Sequence, residues 1–330
     1  MCYRGYVIAP VANLPQRGTK LARFAWALVW YTVLVILWGA WVRISHSGDG
    51  CGDNWPLCHG AAIPVNAGAK TWIEISHRYS TALYGIFVLG LLVATWRRFS
   101  AKHSARFWSL AALVFTVTEA LIGRQLVKLG LVDQSTDLMR LIVMPLHLVN
   151  TSALIVSVVM LAESLSFATS QRRSLEPSAR WAIWCFSVGV LVLLCSGAVA
   201  ALGSHLAPSS SLTSGLVKDL SADSHLSVRL RLLHPFLALG FALLGPWAIA
   251  RWSAAAPNAQ AKVACRRLLA VLCSAIVVGV ATLLLLAPVW LKLIHLLLAN
   301  VLIIFGTVAF FRSTRDIPDR CFAQAGGENP

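Results

Sequence analysis

Eight stretches of roughly twenty apolar residues run through the 330-residue chain, near 24–42, 76–96, 107–127, 142–163, 181–202, 232–250, 268–287 and 290–311. A helix rises about 1.5 Å per residue, so each stretch is long enough to cross a hydrocarbon core of about 30 Å. Backbone amides and carbonyls find no partners in lipid, so each stretch must satisfy them internally, as a helix. Only 12% of the residues are charged, about half the share in a soluble domain. The chain reads as an all-α polytopic membrane protein with eight transmembrane helices.

A net charge of +15 would suit a nucleic-acid binder, but the placement of the charge argues for a membrane instead. Eighteen of the 28 lysines and arginines lie in the N-terminal segment, the 97–106, 164–180 and 251–267 loops and the C-terminal tail. That distribution puts both termini in the cytoplasm and the alternate loops outside. Residues 1–23 have no apolar core and no cleavage-site pattern, so they are expected to form a cytoplasmic lead. The lack of a transit peptide favours a bacterial cytoplasmic membrane over the mitochondrial inner membrane. Of eight cysteines, Cys51 and Cys58 alone fall in an outward-facing loop, where an oxidising compartment would allow a disulfide. Cys185, Cys195 and Cys273 lie in apolar runs, Cys265 precedes one, and Cys2 and Cys321 are in the tails; packing or free thiols account for these six.

The chain repeats itself. "GAWVRISHS" from Gly39 pairs with "GAVAALGSH" from Gly197, "HRYSTALYGIFVLG" from His77 with "HPFLALGFALLG" from His234, and "HLVNTSALIV" from His147 with "HLLLANVLII" from His295. Two four-helix halves follow, 24–163 and 181–311, joined by a cytoplasmic linker at 164–180 and flanked by segments 1–23 and 312–330. The outer loops are 43–75 in the first half and 203–231 in the second. An even number of spans separates the halves, so they share one orientation and are expected to pair about an axis along the membrane normal.

Each half carries one histidine at the start of its second helix and one near the start of its fourth, all toward the outer edge. Two imidazoles facing across a four-helix bundle suit a haem iron. A lone interfacial histidine would be read as a partner of a carbonyl or headgroup, but four in two related pairs point to ligands. Zinc would need third and fourth ligands, and no such cluster recurs in each half. Glu74 stands three residues before His77, and Arg231 stands in the same position before His234. Glu74 can assist proton transfer or stabilise developing positive charge, or simply pair with Arg78 at the interface. Arg231, with Arg229, can hold propionates. Arg43 can do the same or snorkel to headgroups.

"GAWVRISHSGDGCGDNWPLCHG", "WIEISHR", "LHP" and "LIHLLLAN" together resemble the haem A synthase family of cytochrome oxidase assembly, over about 24–311. The resemblance implies a membrane oxidoreductase that oxidises a methyl group of haem O to the formyl group of haem A through hydroxylated intermediates. On this sequence it implies that His77 and His147, with Arg78 and Arg43, hold the haem O substrate, and that Glu74 joins His77 and His147 in the chemistry. His234 and His295 would ligate a resident haem b, with Arg231 and Arg229 on its propionates. Cys51 and Cys58 match the family's loop pair. Haem O synthase and oxidase assembly factors are the implied partners beside the lipid bilayer, and an oligomer is compatible with the sequence.

Loop 203–231 has no cysteine and is rich in serine, long enough for a short helix or lid. His59 departs from the residue expected after "WPLC"; His46, His59, His205 and His225, like His103 on the cytoplasmic side, are expected at the surface. Two other classes fit part of the pattern. A di-haem b electron-transfer cytochrome would leave Glu74 without a task. A haem transporter would show helices broken at mid-membrane, for which "LLGPW" around Pro246 is a weak signal.

Overall fold

A computed structural model describes residues 16–167 and 171–317. Ten helices follow in order: α1 (Gln16–Ile44), α2 (Ala69–Arg98), α3 (Ser104–Lys128), α4 (Arg140–Ser166), α5 (Pro177–Leu206), α6 (Leu212–Leu220), α7 (Leu226–Leu230), α8 (Leu233–Ala254), α9 (Ala259–Leu284) and α10 (Val289–Ser313). Eight segments are long and apolar enough to cross a membrane: α1 to α5, a segment joining α7 with α8, α9 and α10. The faces they turn outward are apolar, with Leu34, Ile86, Val277 and Leu243 each more than 60% exposed. Such a surface needs lipid around it, and the chain is a multi-pass integral membrane protein.

The helices overrun the apolar stretches because polar caps and charged turns extend them past the hydrocarbon core. α9 begins at Ala259, nine residues before the apolar run, because the Asn258 side chain accepts from the Ala261 amide at 2.7 Å and an alanine-rich turn follows. α2 begins at Ala69, which places Glu74 within the helix rather than ahead of it. In the 203–231 loop Ser211 and Ser214 form a reciprocal capping box that starts α6. Pro145 and Pro246 lie inside α4 and α8 without breaking either helix. Among the described residues, the broken spans that a repeat transporter would show are therefore not found. Cys2 and Cys321 fall outside the described residues.

In the first half α1 packs on α2 and α4, and α3 on α2 and α4; in the second α8 packs on α5 and α9, and α9 on α10. Between the halves α4 meets α10, α1 meets α10 and α4 meets α5. The two fourth helices thus meet, and each also touches the first helix of the other half. A bidentate ion pair joins the halves near one end, Arg312 donating to both oxygens of the buried Glu163 at 3.2 Å. The loops after α1, α3 and α5 gather at the opposite end, called here the disulfide end because Cys51 and Cys58 are bonded there.

Candidate haem-binding site

Each of three histidines leans on a glycine of a neighbouring helix. A Cβ at Gly39 would lie 2.9 Å from Cε1 of His77, one at Gly197 3.1 Å from Cε1 of His234, and one at Gly279 3.0 Å from Cε1 of His295. Only a residue without a side chain lets an imidazole approach so closely. Gly39 and Gly197 are the positions that the repeat aligns, so the same packing recurs in both halves. All four histidines are half-buried.

In the second half the His234 and His295 rings face each other with centroids 6.3 Å apart and planes at 76°. Two iron–nitrogen bonds of about 2 Å, with the ring radius added on each side, would set two axial imidazoles about 6 Å apart. The pair therefore fits a single iron between them. Ser196 on α5 prepares His234: its hydroxyl donates to the Leu193 carbonyl and stands 3.1 Å from His234 Nδ1. With its own proton committed, Ser196 Oγ accepts from Nδ1–H, which leaves the Nε2 lone pair free for a metal. In the first half His77 and His147 lie within electrostatic range of each other. Nδ1 of His77, His147 and His295 is buried without a hydrogen-bond partner.

Glu74 is 4% exposed. Its Oε2 accepts from the Cys51 amide at 2.9 Å and its Oε1 from Arg78 Nε at 3.1 Å, with Arg78 Nη2 on the same oxygen. Arg78 Nη1 donates to the carbonyls of Asn54 and Leu57, both at 2.7 Å. The Glu74–Arg78 pair, one turn of α2 around His77, thus fastens the disulfide loop to the helix that carries His77. The second half has a counterpart made from different positions. Arg231 pairs with the buried Asp219 of α6 and donates to the Ala207 and Gly215 carbonyls. The contrast of Glu74 with Arg231 is real at that position, yet both halves use an arginine–carboxylate pair to hold a loop. Arg229 is exposed. Arg43 lies within electrostatic range of Arg140 on α4 and Lys292 on α10, so this group of cations sits where the halves meet.

Sequence reasoning missed Glu119. This carboxylate lies inside α3, accepts from Asn150 Nδ2 at 2.5 Å and from the Thr151 hydroxyl, and stands 3.4 Å from His147 Nδ1. An ionisable residue in the middle of an apolar run was itself the available signal. Asp219 was missed because nothing local marks it as the partner of Arg231. His46, His205, His103 and His225, expected at the surface, are half-buried, and the rings of His46 and His205 stack at 4.3 Å. His59 is exposed as expected, its Nε2 2.9 Å from the Gly50 carbonyl. His225 caps α7 with its Nε2 2.9 Å from the Thr136 carbonyl, and His103 caps α3.

Two packed helical halves in a membrane, each with a pair of half-buried histidines, define a polytopic membrane protein whose imidazoles are candidate metal ligands. The chain matches the cytochrome oxidase assembly protein family over residues 22–307 and belongs to that family. It is 35% identical to a protoheme IX farnesyltransferase of Thermus thermophilus over 281 residues, covering 85% of this chain and 46% of that relative. It is 30% identical to a heme A synthase of Exiguobacterium sibiricum over 144 residues, 44% of this chain and 47% of the relative. A heme A synthase of Halalkalibacterium halodurans is 38% identical over 98 residues, 30% of this chain and 33% of the relative. The chain thus aligns with about half the length, or less, of these curated relatives.

Proposed function

We propose that the protein is a haem A synthase of a bacterial cytoplasmic membrane, oxidising a methyl group of haem O to a formyl group for cytochrome oxidase biogenesis. The observation that carries this reading is the repeat of one ligand geometry in two unequal settings. In the second half His234 is oriented by Ser196 and faces His295 at iron-spanning distance, which suits a resident group. In the first half His77 Nδ1 has no hydrogen-bond partner, His147 Nδ1 stands 3.4 Å from Glu119, and a second carboxylate, Glu74, precedes His77 by one helical turn. That suits a porphyrin that must enter, react and leave.

When bound, haem b supplies one-electron redox chemistry; the chain's own residues do the rest. His234 and His295 hold the resident haem, and Arg231 keeps the α6 loop closed beside it. His77 and His147 hold the substrate ring, with Gly39 leaving His77 room to lie flat against α1. Oxidation of the methyl group requires proton transfer at the reacting carbon's substituents, and a carboxylate beside the substrate can exchange those protons. Glu74 is the candidate on α2, while Glu119 and its Asn150 and Thr151 donors position His147 from the far side. Arg43 and Lys292 offer positive charge to propionates between the halves.

A prenyl transfer is the second reading, because the Thermus relative carries that name. Prenyl diphosphate chemistry relies on divalent cations held by several carboxylates. That name belongs to a relative of which the chain covers 46%, and the paired histidines favour the oxidation. Extraction and mass identification of haem from the purified protein separates the readings. A formyl or hydroxymethyl haem supports the synthase; haem b alone supports an electron-transfer cytochrome.

A further inference from the structure

We propose a second metal site, outside both histidine pairs, formed by His46, Asp133 and His205 at the disulfide end. The three residues come from separate segments: His46 from the turn after α1, Asp133 from the α3–α4 loop and His205 from the last turn of α5. One ligating atom from each lies within 4.8 Å of the others. Two belong to the first half and one to the second, so the site straddles the junction of the bundles.

The geometry is built rather than incidental. His46 and Asp133 both hold left-handed backbone, at φ 54° and 46°, a conformation that costs any residue with a side chain and that His and Asp tolerate better than most. In that conformation His46 Nδ1 meets Asp133 Oδ1 at 2.8 Å. His205 stacks on His46 with ring centroids 4.3 Å apart, and its Nε2 is buried with no hydrogen-bond partner. A buried imidazole nitrogen without a partner is costly unless something fills its lone pair. Gln134 Nε2 lies 3.1 Å from His46 Nδ1 and edges the same space.

Two imidazoles and one carboxylate select a borderline divalent ion such as zinc or copper(II) over calcium or magnesium, which want oxygen ligands. Two cations oppose the site. Arg43 and Arg140 are both within electrostatic range of His205, although Arg140 is spent on the carbonyls of Asp133 and Ser135 and so also holds the Asp133 loop in place. Their positive charge opposes a cation and weakens its binding. The ion would clamp the two halves at the end opposite the Glu163–Arg312 pair. Nothing in this assignment depends on which porphyrin reaction the chain performs.

The test uses untagged full-length protein in detergent, dialysed against chelator and titrated with zinc by calorimetry, with cobalt(II) as a spectroscopic substitute. One saturable ion per chain is expected, with visible cobalt bands and a zinc-dependent rise in melting temperature. His46→Ala, His205→Ala and Asp133→Asn should each weaken binding at least tenfold while leaving the haem spectrum unchanged, and His59→Ala should bind normally. Unaltered protein that binds no zinc overturns the site and leaves a hydrogen-bonded lock between the halves. Binding that survives both histidine changes overturns it equally, as adventitious metal elsewhere. The titration of the unaltered protein decides even if a variant fails to fold.

Discussion

Gly39 and His77 are packed so that a single added methyl group on the glycine would stand 2.9 Å from the imidazole. The contact ties α1 to the opening turns of α2 and fixes the plane in which His77 can present its ring. Overpacking of this kind typically costs about 1–3 kcal/mol and displaces the weaker partner, here a ring with no hydrogen bond to hold it. Gly39→Val is expected to lower haem A formation at least tenfold while haem b content stays near normal. Gly197→Val should do the reverse and remove haem b. Pyridine haemochrome spectra of the two variants check both outcomes; equal loss of haem b in both would count against separate sites.

Glu119 accepts two hydrogen bonds and faces His147 Nδ1, the arrangement by which a carboxylate outside a ligand sphere orients the ligand. Loss of such a partner typically costs about ten- to a hundredfold in metal affinity or activity. Glu119→Gln is therefore expected to weaken retention of haem O by about tenfold or more and to shift the absorption of that haem alone. An unchanged spectrum with haem O bound would assign Glu119 to packing.

The eight spans were legible because each rests on a run of apolar residues long enough to cross a membrane. Glu119 was legible too, as a carboxylate inside the 107–127 run, but the run's hydrophobicity drew attention away from it. What could not be read was the set of long-range meetings between loops. Asp219 reaches Arg231 through a capped helix that only the folded loop reveals, and His46 meets His205 across 159 residues of chain because the halves dock. The pairing of Glu74 with Arg78 was anticipated as a weak interfacial contact. Its burial, and its grip on the Cys51 amide, depend on how the disulfide loop folds back over α2.

Glu74 is held in place by Arg78 and by the Cys51 amide, so its chemical and structural roles need separating. Removing one partner of a buried pair strands the other at a cost of about 3–5 kcal/mol. Glu74→Gln keeps the shape and a hydrogen bond; it should preserve haem b but reduce conversion of haem O by about a hundredfold. The double change Glu74→Gln with Arg78→Met relieves the stranded charge. If thermal stability returns in the double variant and activity does not, Glu74 acts on the substrate; if both return, its task is to fasten the loop.

Cys51 and Cys58 close a short loop whose first amide is a ligand of Glu74. Chain-entropy arguments give about 2–3 kcal/mol for a loop of this size. Cys51→Ser or mild reduction should loosen the loop, speed its proteolysis and lower haem A formation several-fold, without loss of haem b. Mass mapping without reductant should show the cross-linked peptide. Free thiols at both positions in oxidised membranes would contradict the pairing.

The division of labour between the halves is tested most directly by measuring haem A in cells that supply haem O, alongside the haem b retained by the purified protein. The unaltered chain is predicted to yield haem A. His77→Ala and His147→Ala are predicted to abolish it while the low-spin haem b spectrum persists, and His234→Ala or His295→Ala to remove that spectrum. Absence of haem A from the unaltered chain, or undiminished haem A from His77→Ala, would contradict the assignment.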